Sequence, residues 1–184
     1  ELDWSWWAPP LLVTIVALTT VLVLGLNWFT VAFLWLPPVI ALCSILDLRT
    51  MIIPKRVVWV GSAVALVLIV AASLIEGVGA AVEGAVIGGL GYFAVLFALW
   101  FVYPRGMGFG DVRFALLLGL YLGWLHFMLP VVALVFASVI GIAVGLAARL
   151  SRGGREFPFG PGMALGALCA VWFYEPIISR LNGG

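Results

Sequence analysis

The chain alternates long apolar runs with short polar or glycine-rich breaks, and the runs are too long for the buried helices of a soluble domain. A helix needs roughly 20 apolar residues to cross a bilayer. Measured against that length, the sequence predicts about seven segments: Pro9–Leu26, Trp28–Leu46, Val57–Ile75, Ala80–Tyr103, Asp111–Met128, Val131–Leu150 and Pro161–Ile178. Trp4, Trp6 and Trp7 precede the first and suit the interfacial belt of a membrane. The first two segments are so close that they form either a tight hairpin or one bent element. Pro37-Pro38 should kink or break the second. Pro130 is expected to separate the fifth from the sixth, and the polar Ser151–Gly160 stretch to be a loop. Gly84 and Gly88, with Gly89 and Gly91 nearby, are small residues at the spacing that lets two helix backbones approach closely.

Composition strengthens this picture. Of 184 residues, 65% are hydrophobic and only 9% charged, whereas a soluble domain is about a quarter charged. The fold class expected is an all-α polytopic membrane protein, six core helices plus one N-terminal helix, in a single domain over 1–184. A net charge of +1 with no basic run argues against nucleic acid as a partner. Cys43 and Cys169 lie in apolar runs and read as small buried hydrophobes. With His126 as the one histidine, a zinc site built on Cys and His is excluded.

Charge sets the orientation. Arg49, Lys55 and Arg56 follow segment two, Arg105 and Arg113 flank the break after four, and Arg149, Arg152 and Arg155 flank the break after six. Only Arg180 falls elsewhere. The positive-inside rule makes that side cytoplasmic. Asp47 and Asp111 fall on the same side, so topology alone brings two distant carboxylates to one membrane face.

Carboxylates in membrane segments are costly and concentrate at functional sites. Two of them close together cannot both ionise easily, so they share a proton. The charged member can act as general base toward a water while the protonated one hydrogen-bonds a scissile carbonyl. The blander account makes Asp111 an N-cap of segment five and Asp47 a loop partner of Arg49. Gly106, Gly108 and Gly110 before Asp111 suit backbone conformations closed to other residues and the close approach of a substrate strand. Glu83, one turn inside segment four, is expected to reach the interface. Other nucleophiles fit poorly. Ser44, Ser62, Ser73 and Ser138 lie in apolar runs, where hydroxyls bond the preceding helical turn. His126 is fifteen residues past Asp111, roughly 22 Å along a helix.

Three motifs carry a resemblance. Gly106-Met107-Gly108-Phe109-Gly110-Asp111-Val112-Arg113, with Gly119 and Leu122-Gly123-Trp124, resembles the GxGD signature of type IV prepilin peptidases. Asp47-Leu48-Arg49-Thr50-Met51-Ile52-Ile53-Pro54 resembles the first motif of that family, and Phe157-Pro158-Phe159-Gly160-Pro161, with Ala164, Leu165 and Gly166, a third. The likeness covers about 39–170. It implies an inner-membrane aspartic endopeptidase, without metal or other cofactor, whose cytoplasmic-side site removes the basic leader from prepilins or pseudopilins, usually after a glycine. Carried over, Asp47 and Asp111 are the catalytic pair, Gly108 and Gly110 are the GxGD glycines, and Phe159, Gly160 and Pro161 belong to a loop near the site. The partners implied are the lipid bilayer and a substrate with a basic leader and an apolar helix. Lys55 departs from the acidic or amide residue that many members have there. The methylation region and paired cysteines of larger members are missing from this sequence, so a minimal peptidase is expected, with any N-methylation done by another enzyme. Preflagellin peptidases share an overlapping motif set. The presenilin group does not fit, because Leu46 rather than Tyr precedes Asp47. A non-enzymatic scaffold or proton-coupled transporter would need a repeat of matching broken helices, and the sequence shows none.

Overall fold

The structure is a computed structural model that describes residues 8–152 and 159–174. Trp4, Trp6, Trp7, Arg155, Phe157, Pro158 and Arg180 lie outside the described residues, as does the last part of segment seven. Among the described residues eight helices follow one another: α1 (Ala8–Leu24), α2 (Trp28–Phe33), α3 (Leu36–Thr50), α4 (Lys55–Glu76), α5 (Gly79–Val102), α6 (Phe109–Leu125), α7 (Leu129–Arg152) and α8 (Gly160–Trp172). Three stretches, Thr30–Thr50, Lys55–Glu76 and Gly79–Val102, are helical, long and apolar enough to cross a membrane. The protein is an all-helical, multi-pass membrane protein.

Local chemistry explains the ends. Gly25, in the left-handed conformation (φ 75°), stops α1, and the Asn27 side chain caps α2 by accepting from the Thr30 N–H at 2.8 Å. Because α1 packs on α2 and also on α3, the chain turns back here as a hairpin. The second expected segment is divided into α2 and α3 at Leu34–Trp35, which gives eight helices where about seven were expected. Pro37 and Pro38 lack the N–H groups that would bond the carbonyls of Phe33 and Leu34, so the ladder is interrupted one turn before them. Pro130 does not separate two helices. It sits second in α7, inside the first turn, where a missing N–H costs nothing.

Helix α6 is the hub, buried along most of its length from Asp111 to Trp124 and packed against α4, α5, α7 and α8. Its approach to α5 rests on glycines from both helices. A Cβ on Gly88 would lie 2.5 Å from the Gly123 Cα and 2.7 Å from the Gly119 carbonyl oxygen. Gly84 faces Gly123 in the same way, whereas Gly91 faces open space. The pair at 84 and 88 is therefore half of a small-residue seam. Gly119 and Gly123, which carry the family resemblance, supply the other half. Gly166 plays the same part between α8 and α7, against Ala133 and Ala137.

Hydrogen bonds tie the hub to the rest. The Tyr121 hydroxyl donates to the Ala32 carbonyl (3.0 Å), and the Trp124 indole N–H donates to Ser73 Oγ (2.9 Å). Phe33 packs against both rings. The serines divide. Ser138 bonds back to Leu134 as expected, Ser73 serves Trp124 instead, and the buried Ser62 hydroxyl has no hydrogen-bond partner among the described residues. Cys43 is fully buried, but Cys169 is only half-buried. Glu83 is exposed.

Candidate active site

Asp47 lies in the last turn of α3 and Asp111 in the first turn of α6. Both are deeply buried, at 5% and 7% exposure. They line one open cleft of about 670 Å³ together with Gly106, Gly108, Gly110 and Phe159, and Asp111 lies within the electrostatic reach of Asp47. Segments 64 residues apart in sequence thus converge on one pocket.

Each carboxylate is fixed by its own neighbourhood. Helix α3 ends where Met51 adopts a left-handed conformation (φ 53°) and its N–H bonds the Asp47 carbonyl at 2.8 Å. A non-glycine residue in that region is uncommon and marks a backbone held by its surroundings. The chain then runs through Ile52 and the buried Ile53 to Pro54, which opens α4. The Asp47 side chain is gripped from the other end of the sequence: Gly160 N–H donates to Asp47 Oδ2 at 2.9 Å. Gly160 is the first residue of α8, so the positive end of that helix dipole faces the carboxylate. Pro161, next in α8, fits the first turn, where its fixed φ is favourable; it is not among the residues lining the cleft.

The N-cap of α6 is Gly108, and Asp111 stands three residues inside. The simple N-cap role for Asp111 is therefore set aside. The Asp111 backbone N–H donates to the Gly108 carbonyl at 3.1 Å. The glycines act differently from expectation. Among the described residues, only Gly25 and Gly77 of the glycines have positive φ, so Gly106, Gly108 and Gly110 hold conformations open to any residue. What Gly106 and Gly110 provide is space. A Cβ on Gly110 would press on Ile53 at 3.0 Å, and one on Gly106 would collide with the Tyr103 ring. Gly110 lets the Met51–Pro54 loop lie against the start of α6. A Cβ on Gly108 would have ordinary clearance, 3.6 Å from Asp111 Oδ2.

Ile53, Tyr103 and Arg113 also line the cleft, and motif reasoning gave them no role there. Arg113 lies over the Phe109 ring at 4.5 Å, a cation–π contact. The only signal for Tyr103 was its place as the last aromatic before the glycine loop. Phe159 is half-buried, its ring against Gly141 of α7. His126 caps the far end of α6, away from the cleft.

One substitution probes the grip on Asp47. A Cβ at position 160 would lie 2.7 Å from Asp47 Oδ2 and 3.2 Å from Cγ, so Gly160→Ala has to push the carboxylate off its hydrogen bond. A hydrogen bond to a charged group contributes about 1.5–3 kcal/mol. Any hydrolysis in this cleft that uses Asp47 is expected to slow roughly 10–100-fold in kcat, with folding stability in detergent lowered by no more than the same about 1.5–3 kcal/mol. Parental kcat in Gly160→Ala would mean that the contact does not position Asp47.

Comparison with known proteins places the chain in a family. Residues 34–146, which include both aspartates, match the type IV leader peptidase family. The chain is 30% identical over 173 residues to a prepilin leader peptidase/N-methyltransferase of Aeromonas hydrophila, covering 88% of this chain and 56% of that protein. It is 32% identical over 153 residues to one of Burkholderia pseudomallei (76% and 45%), and 36% over 107 residues to one of Pseudomonas putida (55% and 36%). The chain spans about half the length of the first two relatives. No solved structure matches it.

Proposed function

This chain belongs to the type IV leader peptidase family, and we propose that it is a membrane-embedded aspartic endopeptidase that removes the basic leader of type IV prepilins or pseudopilins. The observation that carries this is the convergence of Asp47 and Asp111, buried and from different helices, on one open cleft. One carboxylate of the pair, ionised, takes a proton from a water. The water oxygen attacks the scissile carbonyl carbon. The other carboxylate, protonated, donates to the carbonyl oxygen as charge develops there. Collapse of the tetrahedral intermediate breaks the C–N bond, and a proton passes to the leaving amine. The titration belongs to the pair, so neither aspartate has a fixed role. No covalent intermediate forms.

The same arrangement suits a substrate made of a basic leader and an apolar helix. Asp47 ends α3 and Asp111 begins α6, so the cleft sits at the ends of apolar helices rather than midway along them. The basic residues Arg49, Lys55, Arg56, Arg105 and Arg113 cluster in the same loops and helix ends, which supports a cytoplasmic site in the inner membrane. Residues 1–184 then form one peptidase domain, with its family-like core at about 39–170.

The test is leader release by the purified chain in lipid nanodiscs, read by mass spectrometry against a panel of prepilin, pseudopilin and preflagellin leaders. Cleavage after the glycine before the apolar helix is expected with prepilins. Cleavage of preflagellins alone would reassign the substrate, and no cleavage across the panel would overturn the proposal.

A further inference from the structure

We infer that an apolar groove between α4 and α5, floored by α6, seats the apolar helix of the substrate while its leader junction lies in the acidic cleft; this rests on the peptidase activity proposed above. The groove holds about 300 Å³ and is lined by Trp59, Ser62 and Leu66 of α4, Leu90 of α5, and Leu116 and Leu120 of α6. That volume suits side chains from one face of a helix lying along it, not a helix inserted bodily.

Two observations select this occupant. The first is continuity. Phe109, Arg113, Leu116 and Leu120 fall at i, i+4, i+7 and i+11, one stripe of α6. The first two line the acidic cleft and the last two the groove. Leu116 and Leu120 lie five and nine residues past Asp111, about 7 and 13 Å along the axis. A chain cut just before its helix starts would run directly from cleft to groove. The second is the groove wall. On α4, Trp59 stands one turn past Lys55, at the end of the loop that carries Ile53 to the cleft.

The experiment installs a benzophenone side chain at Leu90 in the full chain, in phospholipid nanodiscs, with the same group at Val139 of α7 as control. Val139 is exposed on another helix. After illumination with a full-length prepilin, covalent adducts are identified by mass spectrometry. Position 90 is expected to label the apolar helix of the substrate at least tenfold above position 139. A second variant at another residue that lines the groove, Ala63→Trp, fills it and is expected to raise KM roughly tenfold, as loss of one buried apolar side chain would, with kcat kept. Phospholipid adducts alone at position 90, or equal substrate labelling at both positions, overturns the groove as the seat. So does an unchanged KM in a folded Ala63→Trp. If Ala63→Trp does not fold, the labelling ratio decides. Lack of cleavage by the parent would instead overturn the peptidase activity on which this rests, so the two failures are told apart.

Discussion

Asp47→Asn and Asp111→Asn should each lower kcat for leader release by roughly 10²–10⁴-fold, the range carried by one positioned acid or base. The double variant should fall little further, because residues that act as one unit lose their function together. Both substitutions keep the shape of the side chain and remove only its ability to hold and exchange a proton. Asn at 47 can still accept from the Gly160 N–H, which now meets Asp47 Oδ2 at 2.9 Å, so the folded state should persist. Both aspartates are buried, and an ionised buried carboxylate is costly. Thermal unfolding in detergent should therefore show no loss of stability in the variants. A single variant with parental kcat would sink the paired mechanism. A second readout concerns the chemistry. With no covalent intermediate, added hydroxylamine should leave the leader product unchanged; a hydroxamate at the leader C-terminus would reveal an acyl-enzyme and a nucleophile other than water.

Gly88→Ala should destabilise the protein by about 2–3 kcal/mol, the upper part of the range for forcing extra atoms into a packed interior. The reason is the identity of what the new methyl meets. Its three nearest neighbours are all backbone atoms of α6: Gly123 Cα at 2.5 Å, Gly119 O at 2.7 Å and Gly123 N at 3.0 Å. A side chain could rotate away, but a helix backbone can only move as a body. Gly91→Ala, one turn away on the same helix, meets open space. It should be neutral or stabilising by up to about 1 kcal/mol, the ordinary gain of Ala over Gly in a helix. Denaturation in mixed detergent micelles, followed by circular dichroism, compares the two directly. Equal stability would show that the α5–α6 seam is not held by these glycines. The seam also bears on the cleft. Gly119 is eight residues past Asp111, about 12 Å along α6, so a tilt of α6 away from α5 carries Asp111 with it. Activity should fall in Gly88→Ala and survive in Gly91→Ala.

Much of this protein is written locally. Its helical segments, the break before Pro37-Pro38 and the small-residue pair Gly84 and Gly88 follow from apolar length, proline chemistry and glycine's missing Cβ. These effects act over one or two turns and need no distant partner. The position of Asp47 and Asp111 at segment ends was equally legible, because a charge interrupts an apolar run wherever it falls. Tertiary structure decided the rest. In a bilayer, a helix face is apolar whether it meets lipid or another helix, so hydropathy along α6 could not reveal that α6 is the buried hub. The roles of Gly106 and Gly110 depend on Tyr103 and Ile53 lying against them, not on their own backbone angles. The contact of Gly160 with Asp47 joins residues 113 apart, and only the packing of α8 against α3 brings them within reach. Local sequence set where the helices begin and end and where the carboxylates stand, because those are short-range properties of the chain. Which faces meet, and therefore which glycine holds which carboxylate, was set by packing between helices whose surfaces are chemically alike.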